Sequence, residues 1–290
     1  MKALFAASLA IWGTAAQAGV LKVGVTLHPY YSWVKSLAEG LPIEVRAVLP
    51  GEIDAGNYQP SPADIQKLVD LDAIVINGVG HDDFILQMVK ASGNTHVVVL
   101  KPNDEVPLIR STRDGSVNSH TFISFTNAIQ QTYGLAKALG ALRPELAPKL
   151  RENASAYAKR LREIKNRAAG ELAHAKLTRV VTVHDGYSYL LQEFGLELVG
   201  VVEPAHGLVP SAAELEKMID LIKREHVQVV LSEESFPPAL LGVLTSATGA
   251  KVYLISHIAT GTYSADEFEK TMAKNADTLV QALVKDPKGP

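Results

Sequence analysis

The sequence predicts an α/β protein with two Rossmann-like lobes, each built on a parallel four-stranded sheet and joined by a long rigid helix. Short apolar runs alternate with helical segments through short connections, which is typical of parallel sheets with right-handed crossovers. The second half repeats the outline of the first, and one uninterrupted helical period separates the two halves. We expect a ligand site in the crevice between the lobes, because small-molecule sites favour such domain interfaces.

The first lobe should hold four strands, which the apolar runs place at residues 20–27, 43–49, 72–77 and 95–100. Helical spacing predicts helices between them, and a turn-rich loop at residues 50–62 follows the second strand. A further helix is expected over residues 125–139. The lobe as a whole is predicted to cover residues 19–143.

The connecting helix follows Pro144, and its apolar residues recur every three or four positions with charged residues on the other faces. Those apolar residues are Leu146, Leu150, Ala154, Tyr157, Leu161, Ile164, Ala168 and Leu172. At 1.5 Å per residue the helix is roughly 40 Å long, enough to run along both lobes and tie them. We assign residues 144–175 to it.

The second lobe is predicted at residues 176–290, with strands at 179–183, 197–202, 227–232 and 251–256. Helices are expected at 211–225, 238–248 and 265–284. Its first strand is a β-branched run that ends directly at His184, and the pattern then changes to helix. Ligands of open α/β sheets collect outside the carboxyl ends of the strands, so His184 is a candidate site residue.

Composition excludes several classes of protein. The formal net charge of -3 argues against nucleic acid as a partner. The chain has no cysteine, so disulfides, thiolate metal ligands and a lipid-anchored cysteine are excluded.

Residues 1–18 combine Lys2, a short apolar run and Ala16-Gln17-Ala18, the pattern of a cleavable secretory signal. We therefore expect a monomer in the periplasm, with a mature chain that begins near Gly19.

Histidines concentrate where a site is expected. Of the nine in the chain, five follow a predicted strand or lie on the loop between the lobes: His28, His81, His120, His184 and His257. Adjacent strands should bring His28 near His81 and His184 near Glu233 and Glu234. Each histidine alone fits an ordinary hydrogen-bonded residue, but together they favour a metal site. Imidazole and carboxylate ligands suit zinc, and manganese or iron tolerate them. Three more histidines are expected on the surface: His96, His174 and His226.

Several short segments, in this order and spacing, resemble a known family: LHPYYSWVKSLA, YQPSPADIQKL, NGVGHDDFI, NSHTFISFTNAI, VHDGYSYLLQEFGL, PSAAELEKMIDLIK, LSEESFPPALL and TGAKVYLIS. The family is the zinc/manganese-type solute-binding proteins of bacterial ABC importers. The resemblance covers nearly the whole mature chain. It implies one divalent metal held between two α/β lobes and delivered to an inner-membrane permease.

Two family ligands carry over residue by residue, because His120 and His184 match histidines of the family pattern. Two others depart from it: Gly56 stands where the family usually has a histidine, and Ser256 where it has an aspartate. The family's His-rich acidic loop is also missing. We expect a rebuilt shell of His120, His184, His28, His81 and Glu233. Candidates to complete it are His257, His206 and Glu234, and Asp185 could hold an imidazole tautomer.

The function predicted from the sequence is therefore capture of a divalent transition metal, zinc first, for an ABC permease. No catalysis is implied. Three alternatives stay open: the same fold holding an organic solute or a metal complex, a metal-dependent hydrolase with Glu234 as base, and an adhesin or chaperone-like interaction protein.

Overall fold

The computed structural model describes residues 19–110, 115–203, 205 and 207–285. Residues 1–18, which carry the predicted signal, and His206 lie outside this part of the chain. Among the described residues, no helix has the length and apolar character needed to cross a membrane.

Two parallel four-stranded sheets form the framework, as predicted. In the first sheet the strands are β1 (Leu21–Val25), β2 (Ile43–Ala47), β3 (Ala73–Val75) and β4 (Val98–Leu100), in the order β2-β1-β3-β4. In the second they are β5 (Arg179–Thr182), β6 (Glu197–Val201), β7 (Val229–Ser232) and β8 (Lys251–Leu254), in the order β6-β5-β7-β8. The shared order brings the carboxyl ends of β1 and β3, and of β5 and β7, side by side.

Helices cover the sheets and connect them. Around the first sheet lie α1 (His28–Leu37), α2 (Pro62–Gln66), α3 (Ile85–Ala91) and α4 (Phe125–Leu142). The connecting helix is α5 (Ala147–Leu172), and the second sheet is accompanied by α6 (Ser188–Glu193), α7 (Ala212–Arg224), α8 (Pro238–Thr248) and α9 (Glu267–Val280). One π-helical turn, Gln281–Lys285, extends α9.

Helix α5 buries the apolar face predicted from its three- and four-residue spacing. Among those apolar residues Ile164 is half-buried and the others are buried. It packs against α4, α1 and α9, so it contacts elements from both halves of the chain. The buried amide of Asn153 on the same face donates hydrogen bonds to the carbonyls of Leu37 and Glu39 at 2.9 and 2.8 Å, which fixes the end of α1. The confirmed fold is therefore the two-lobed one, while the boundaries at residues 143 and 175 stay predictions.

A second connection joins the halves beside the crevice, through the segment between β8 and α9. The amide of Gly261 donates to the carbonyl of Gly51 at 2.7 Å, and Tyr263 stacks on His28 at 4.0 Å. The hydroxyl of Ser32 donates to the carbonyl of Ser264 at 2.7 Å. We call residues 257–264 the clasp loop, because it reaches from the second sheet onto the first lobe.

The clasp loop leaves no room for a side chain at Gly51. A Cβ atom there would lie 2.4 Å from the carbonyl oxygen of Gly261. Gly51→Ala should therefore push the two loops apart and destabilise the fold by about 1–3 kcal/mol, the usual cost of overpacking. Chemical denaturation measures the change.

Gly170→Ala is the matched control, since a Cβ at this position in α5 meets no atom within 4 Å. Alanine favours a helix over glycine by up to about 1 kcal/mol, so this variant should be unchanged or more stable. Equal stabilities for the two variants would contradict the close contact at Gly51.

Candidate metal centre

Six side chains that can ligate a metal converge at the carboxyl ends of the two sheets. His81 follows β3, His184 follows β5 and Glu233 follows β7, while His120 comes from the loop before α4. His257, from the start of the clasp loop, and Asp54, from the loop after β2, complete the group. The four residues His81, His120, His184 and Glu233 are all buried. His81, His184 and Glu233 reach the crevice because the parallel strands before them end there, and loops bring the other three side chains.

The centre of the group is a pair of histidines. Nε2 of His120 lies 3.0 Å from Nε2 of His184. The Nδ1 atom of His120 lies 3.1 Å from the side-chain oxygen of Asn118, whose amide nitrogen donates to the carbonyl of Asp185 at 2.7 Å. Since that donation orients the amide, the oxygen faces His120 and accepts the Nδ1 proton.

The second member of the pair is held in the same way. Nδ1 of His184 lies 3.3 Å from a carboxylate oxygen of Glu203. A carboxylate only accepts hydrogen bonds, so the Nδ1 atom of His184 carries the proton of this contact. Both Nε2 atoms then present lone pairs to each other, which requires a proton or a cation between them. This arrangement is that of two imidazoles poised to share a metal.

His257 lies between two carboxylates. Its Nδ1 is 2.9 Å from Glu233 and its Nε2 is 3.2 Å from Asp54. Burial lowers the pKa of His257, but the hydrogen bonds to Asp54 and Glu233 outweigh burial and raise it to about 10. Burial likewise raises the pKa of Glu233, and the bond from His257 leads the effects that bring it below its usual value. Without metal, His257 is therefore a cation between two anions.

The local backbone fixes where His257 points. The side chain of Asn275 on α9 binds both the amide and the carbonyl of Ser256, at 2.9 and 2.7 Å. The next turn bends at Ile258, whose φ of 59° is rare for a β-branched residue. Because β8 ends at Leu254, His257 does not follow strand alternation, and the loop turns it into the crevice.

Asp54 is the residue that sequence reasoning missed. It caps a short 3-10 turn, where a carboxylate oxygen accepts from the amide of Gly56 at 2.9 Å. The same oxygen lies 3.5 Å from Nε2 of His81. One sequence signal could have indicated Asp54. The family's usual histidine is missing at Gly56, so any side chain in residues 50–62 that can bind a metal is a candidate replacement.

The loop that carries His81 rests on a buried polar network. The carboxylate of Asp82 accepts hydrogen bonds from the hydroxyl of Thr26 and from the amides of Asn77 and Gly78. The side chain of Asn77 donates to the carbonyl of Ser119 at 2.9 Å, next to His120. His81 and His120 meet edge to face, with ring centroids 5.1 Å apart. The network thus couples the positions of the two histidines.

The sequence-predicted residues divide into those that the structure brings together and those that it does not. His120, His184, His81 and Glu233 lie in the group. His28 instead stacks on Tyr263, with its Nε2 3.0 Å from the carbonyl of Gly51, and burial lowers its pKa.

The exposed Glu234 lines a cavity beside the group. Asp185 supplies its backbone carbonyl to Asn118. The three histidines predicted at the surface are exposed: His96, His174 and His226.

Comparison with known proteins decides the family. Residues 23–282 match the family described as ZnuA, zinc-uptake complex component A, periplasmic. The chain belongs to this family. The resemblance inferred from the sequence segments is therefore confirmed, and the periplasmic location holds at the level of the family.

Individual relatives agree with this assignment. The zinc-binding lipoprotein AdcA of Streptococcus pneumoniae is 23% identical over 289 residues, which cover 94% of this chain and 57% of AdcA. The chain thus spans little more than half of that relative. The high-affinity zinc uptake protein ZnuA of Bacillus subtilis is 22% identical over 283 residues, which cover 91% of this chain and 88% of the relative.

Solved structures give the same fold. The solute-binding protein FpvC of Pseudomonas aeruginosa, solved in complex with Mn²⁺, superimposes with a TM-score of 0.85 at 43% identity, covering 91% of this chain and 98% of FpvC. A crystal structure of ZnuA superimposes with a TM-score of 0.79 at 21% identity, covering 90% of this chain and 98% of that one. This second likeness supports the fold alone.

The resemblance drawn from the sequence implies that this chain departs from the family's usual pattern at two positions. The first-lobe loop that lacks its histidine at Gly56 offers the carboxylate of Asp54. The second-lobe loop that lacks its aspartate at Ser256 offers the imidazole of His257. Both substitutes lie within two residues of the missing group, and they contact each other.

The ion pairs of His257 predict how the stability of metal-free protein depends on pH. The pKa of about 10 in the folded state lies above the ordinary value of 6.5. The ion pairs of His257 therefore contribute fully to the stability of the folded protein below pH 6.5. This contribution shrinks as the pH rises and is absent above the folded-state pKa of about 10. His257→Asn removes it, so the melting temperatures of wild type and variant should differ most below pH 6.5 and converge near pH 10.

Calorimetry in the presence of a chelator measures both curves. Parallel melting curves over that range would contradict the assignment of His257 as a buried cation.

Proposed function

We propose that this chain is the metal-capturing, solute-binding component of an ABC importer and that its cargo is a divalent transition metal, zinc first. The observation that carries the proposal is the pair of Nε2 atoms 3.0 Å apart. Zinc binds imidazole nitrogen at about 2.0–2.1 Å, so two ligands of a tetrahedral zinc lie about 3.3 Å apart. The pair is close to that spacing before any metal binds.

The proposed ligands are His120, His184, His257 and Glu233. One ligand atom each from His184, Glu233 and His257 lies within 4.8 Å of the other two. His120 joins them through its contact with His184. Asp54 and His81 adjoin this set and offer two further donors to a metal that prefers six ligands. His28 as a ligand stays a prediction, which the variants below test.

The donor set fits zinc and also admits other metals. It contains nitrogen and oxygen but no sulfur, which suits zinc and is acceptable to manganese, iron and nickel. The related FpvC has been solved with Mn²⁺ and with Ni²⁺. We place zinc first because the family is described as a zinc-uptake component, and the relative from Bacillus subtilis is named as a zinc uptake protein.

The remaining parts of the proposal concern location and partners. Residues 1–18 would be a cleavable export signal, and the mature chain would be a periplasmic monomer. The partners would be an inner-membrane permease and the metal ion, with no nucleic acid. The lobes would divide at residues 143 and 175. Capture and release by this chain would involve no catalysis, because donors from both lobes surround one position.

Alanine variants test the ligands directly. His120→Ala and His184→Ala should each weaken zinc binding by at least about 100-fold, because each removes half of the central pair. His257→Ala and Glu233→Gln should also weaken it by at least about tenfold. Titration calorimetry on metal-free protein beginning at Gly19 measures the affinities.

Three exposed histidines supply matched controls: His96→Ala, His174→Ala and His226→Ala should leave zinc affinity unchanged. His28→Ala and Asp54→Asn decide the completion of the shell. Loss of affinity in Asp54→Asn with little change in His28→Ala would favour the six-membered group, and the reverse would restore His28 as a ligand. Full affinity in both His120→Ala and His184→Ala would refute the proposed site.

A further inference from the structure

The metal group opens to solvent through one large cavity on the side of the second lobe. The cavity has a volume of about 790 Å³ and is lined by His184, Glu233 and His257, three of the proposed ligands. Of the first-lobe residues that the structure describes, Asp54 is the one that lines it. His81 and His120 are buried and do not line it. The cavity is therefore an opening that leads from solvent to three of the proposed ligands.

The walls of this cavity carry an excess of negative charge. Five of its lining residues are carboxylates: Asp54, Glu203, Glu233, Glu234 and Glu267. Lys274 is the one lysine or arginine among its described lining residues. A cleft lined by charges of one sign concentrates counter-ions and raises their association rate by about 10- to 1,000-fold.

The carboxylates fall into an inner and an outer group. Asp54, Glu203 and Glu233 each contact a histidine of the metal group. Glu234 and Glu267 lie outside the group of six side chains that converge on the metal position. Glu234 is exposed directly after Glu233, and half-buried Glu267 accepts a hydrogen bond from the hydroxyl of Thr271 at 2.8 Å. The outer carboxylates are thus available to a passing cation.

We propose that the metal ion enters and leaves through this cavity, and that Glu234 and Glu267 attract it while Lys274 opposes it. This inference rests on the proposed function. The outer carboxylates lie outside the ligand set, so they change the rate of capture without holding the bound ion. The positive charge of Lys274 on the same wall limits how strongly cations accumulate.

Capture kinetics test the route. Zinc is mixed with metal-free protein in a stopped-flow instrument, with a fluorescent zinc chelator as competitor. At about 10 mM salt the double variant Glu234→Gln/Glu267→Gln should lower the association rate constant about 3- to 10-fold, and Lys274→Gln should raise it about 2-fold. Dissociation rate constants should stay within about 2-fold of wild type.

High salt supplies an internal check. The Debye length falls from about 30 Å at 0.01 M to about 3 Å at 1 M, so the differences in association rate should disappear near 1 M salt. Glu216→Gln is the matched control, because Glu216 is an exposed carboxylate on α7 that does not line the cavity. It should associate with zinc at the wild-type rate.

The outcomes separate the inference from the function. A wild-type protein that binds zinc, together with a double variant that associates equally fast at low salt, would overturn the route while the function stands. A change in dissociation alone would also overturn it, since it would make the outer carboxylates part of the bound site. A wild-type protein that binds no metal would overturn both proposals.

Discussion

The proposed metal site depends on one contact between two imidazole rings. Their Nε2 atoms approach each other, and the Nδ1 atom of each ring is already hydrogen-bonded. Asn118 and Glu203 each accept from an Nδ1 atom, so Nε2 of His120 and Nε2 of His184 face each other at 3.0 Å. Two lone pairs at that distance repel unless a positive charge lies between them. The fold supports this unfavourable approach by delivering one histidine from each side of the crevice. A divalent cation would turn the repulsion into coordination.

The need for a positive charge at this position also explains the charged side chains around His120 and His184. Without metal, the protonated His257 supplies a positive charge between Asp54 and Glu233. A metal ion would replace that proton, and the two carboxylates would remain to balance the charge of the metal. In the family pattern the first-lobe loop carries the histidine and the second-lobe loop the carboxylate. If Asp54 and His257 stand in for those two groups, the loops would have exchanged donor types, and the numbers of nitrogen and oxygen donors would be unchanged.

Sequence patterns predicted the fold well because its elements are locally encoded. The strand runs, the period of α5 and the strand-end histidines His81 and His184 follow from spacing and topology. Asp54 and His257 were harder, because both lie on loops whose side-chain directions have no period. Strand alternation does not give the direction of the His257 side chain, because β8 ends at Leu254. The stacking of His28 on Tyr263 depends on a contact 235 positions away in sequence, which no local pattern carries.

We propose that one metal ion binds between the two lobes, held by both His120 and His184. The most direct measurement is the anomalous difference density of a zinc-loaded crystal at the zinc absorption edge. We expect a single strong peak about 2.0–2.1 Å from both Nε2 atoms, with a third ligand from His257 or Glu233. A peak elsewhere on the protein, with the two imidazoles still facing each other without an ion, would contradict it.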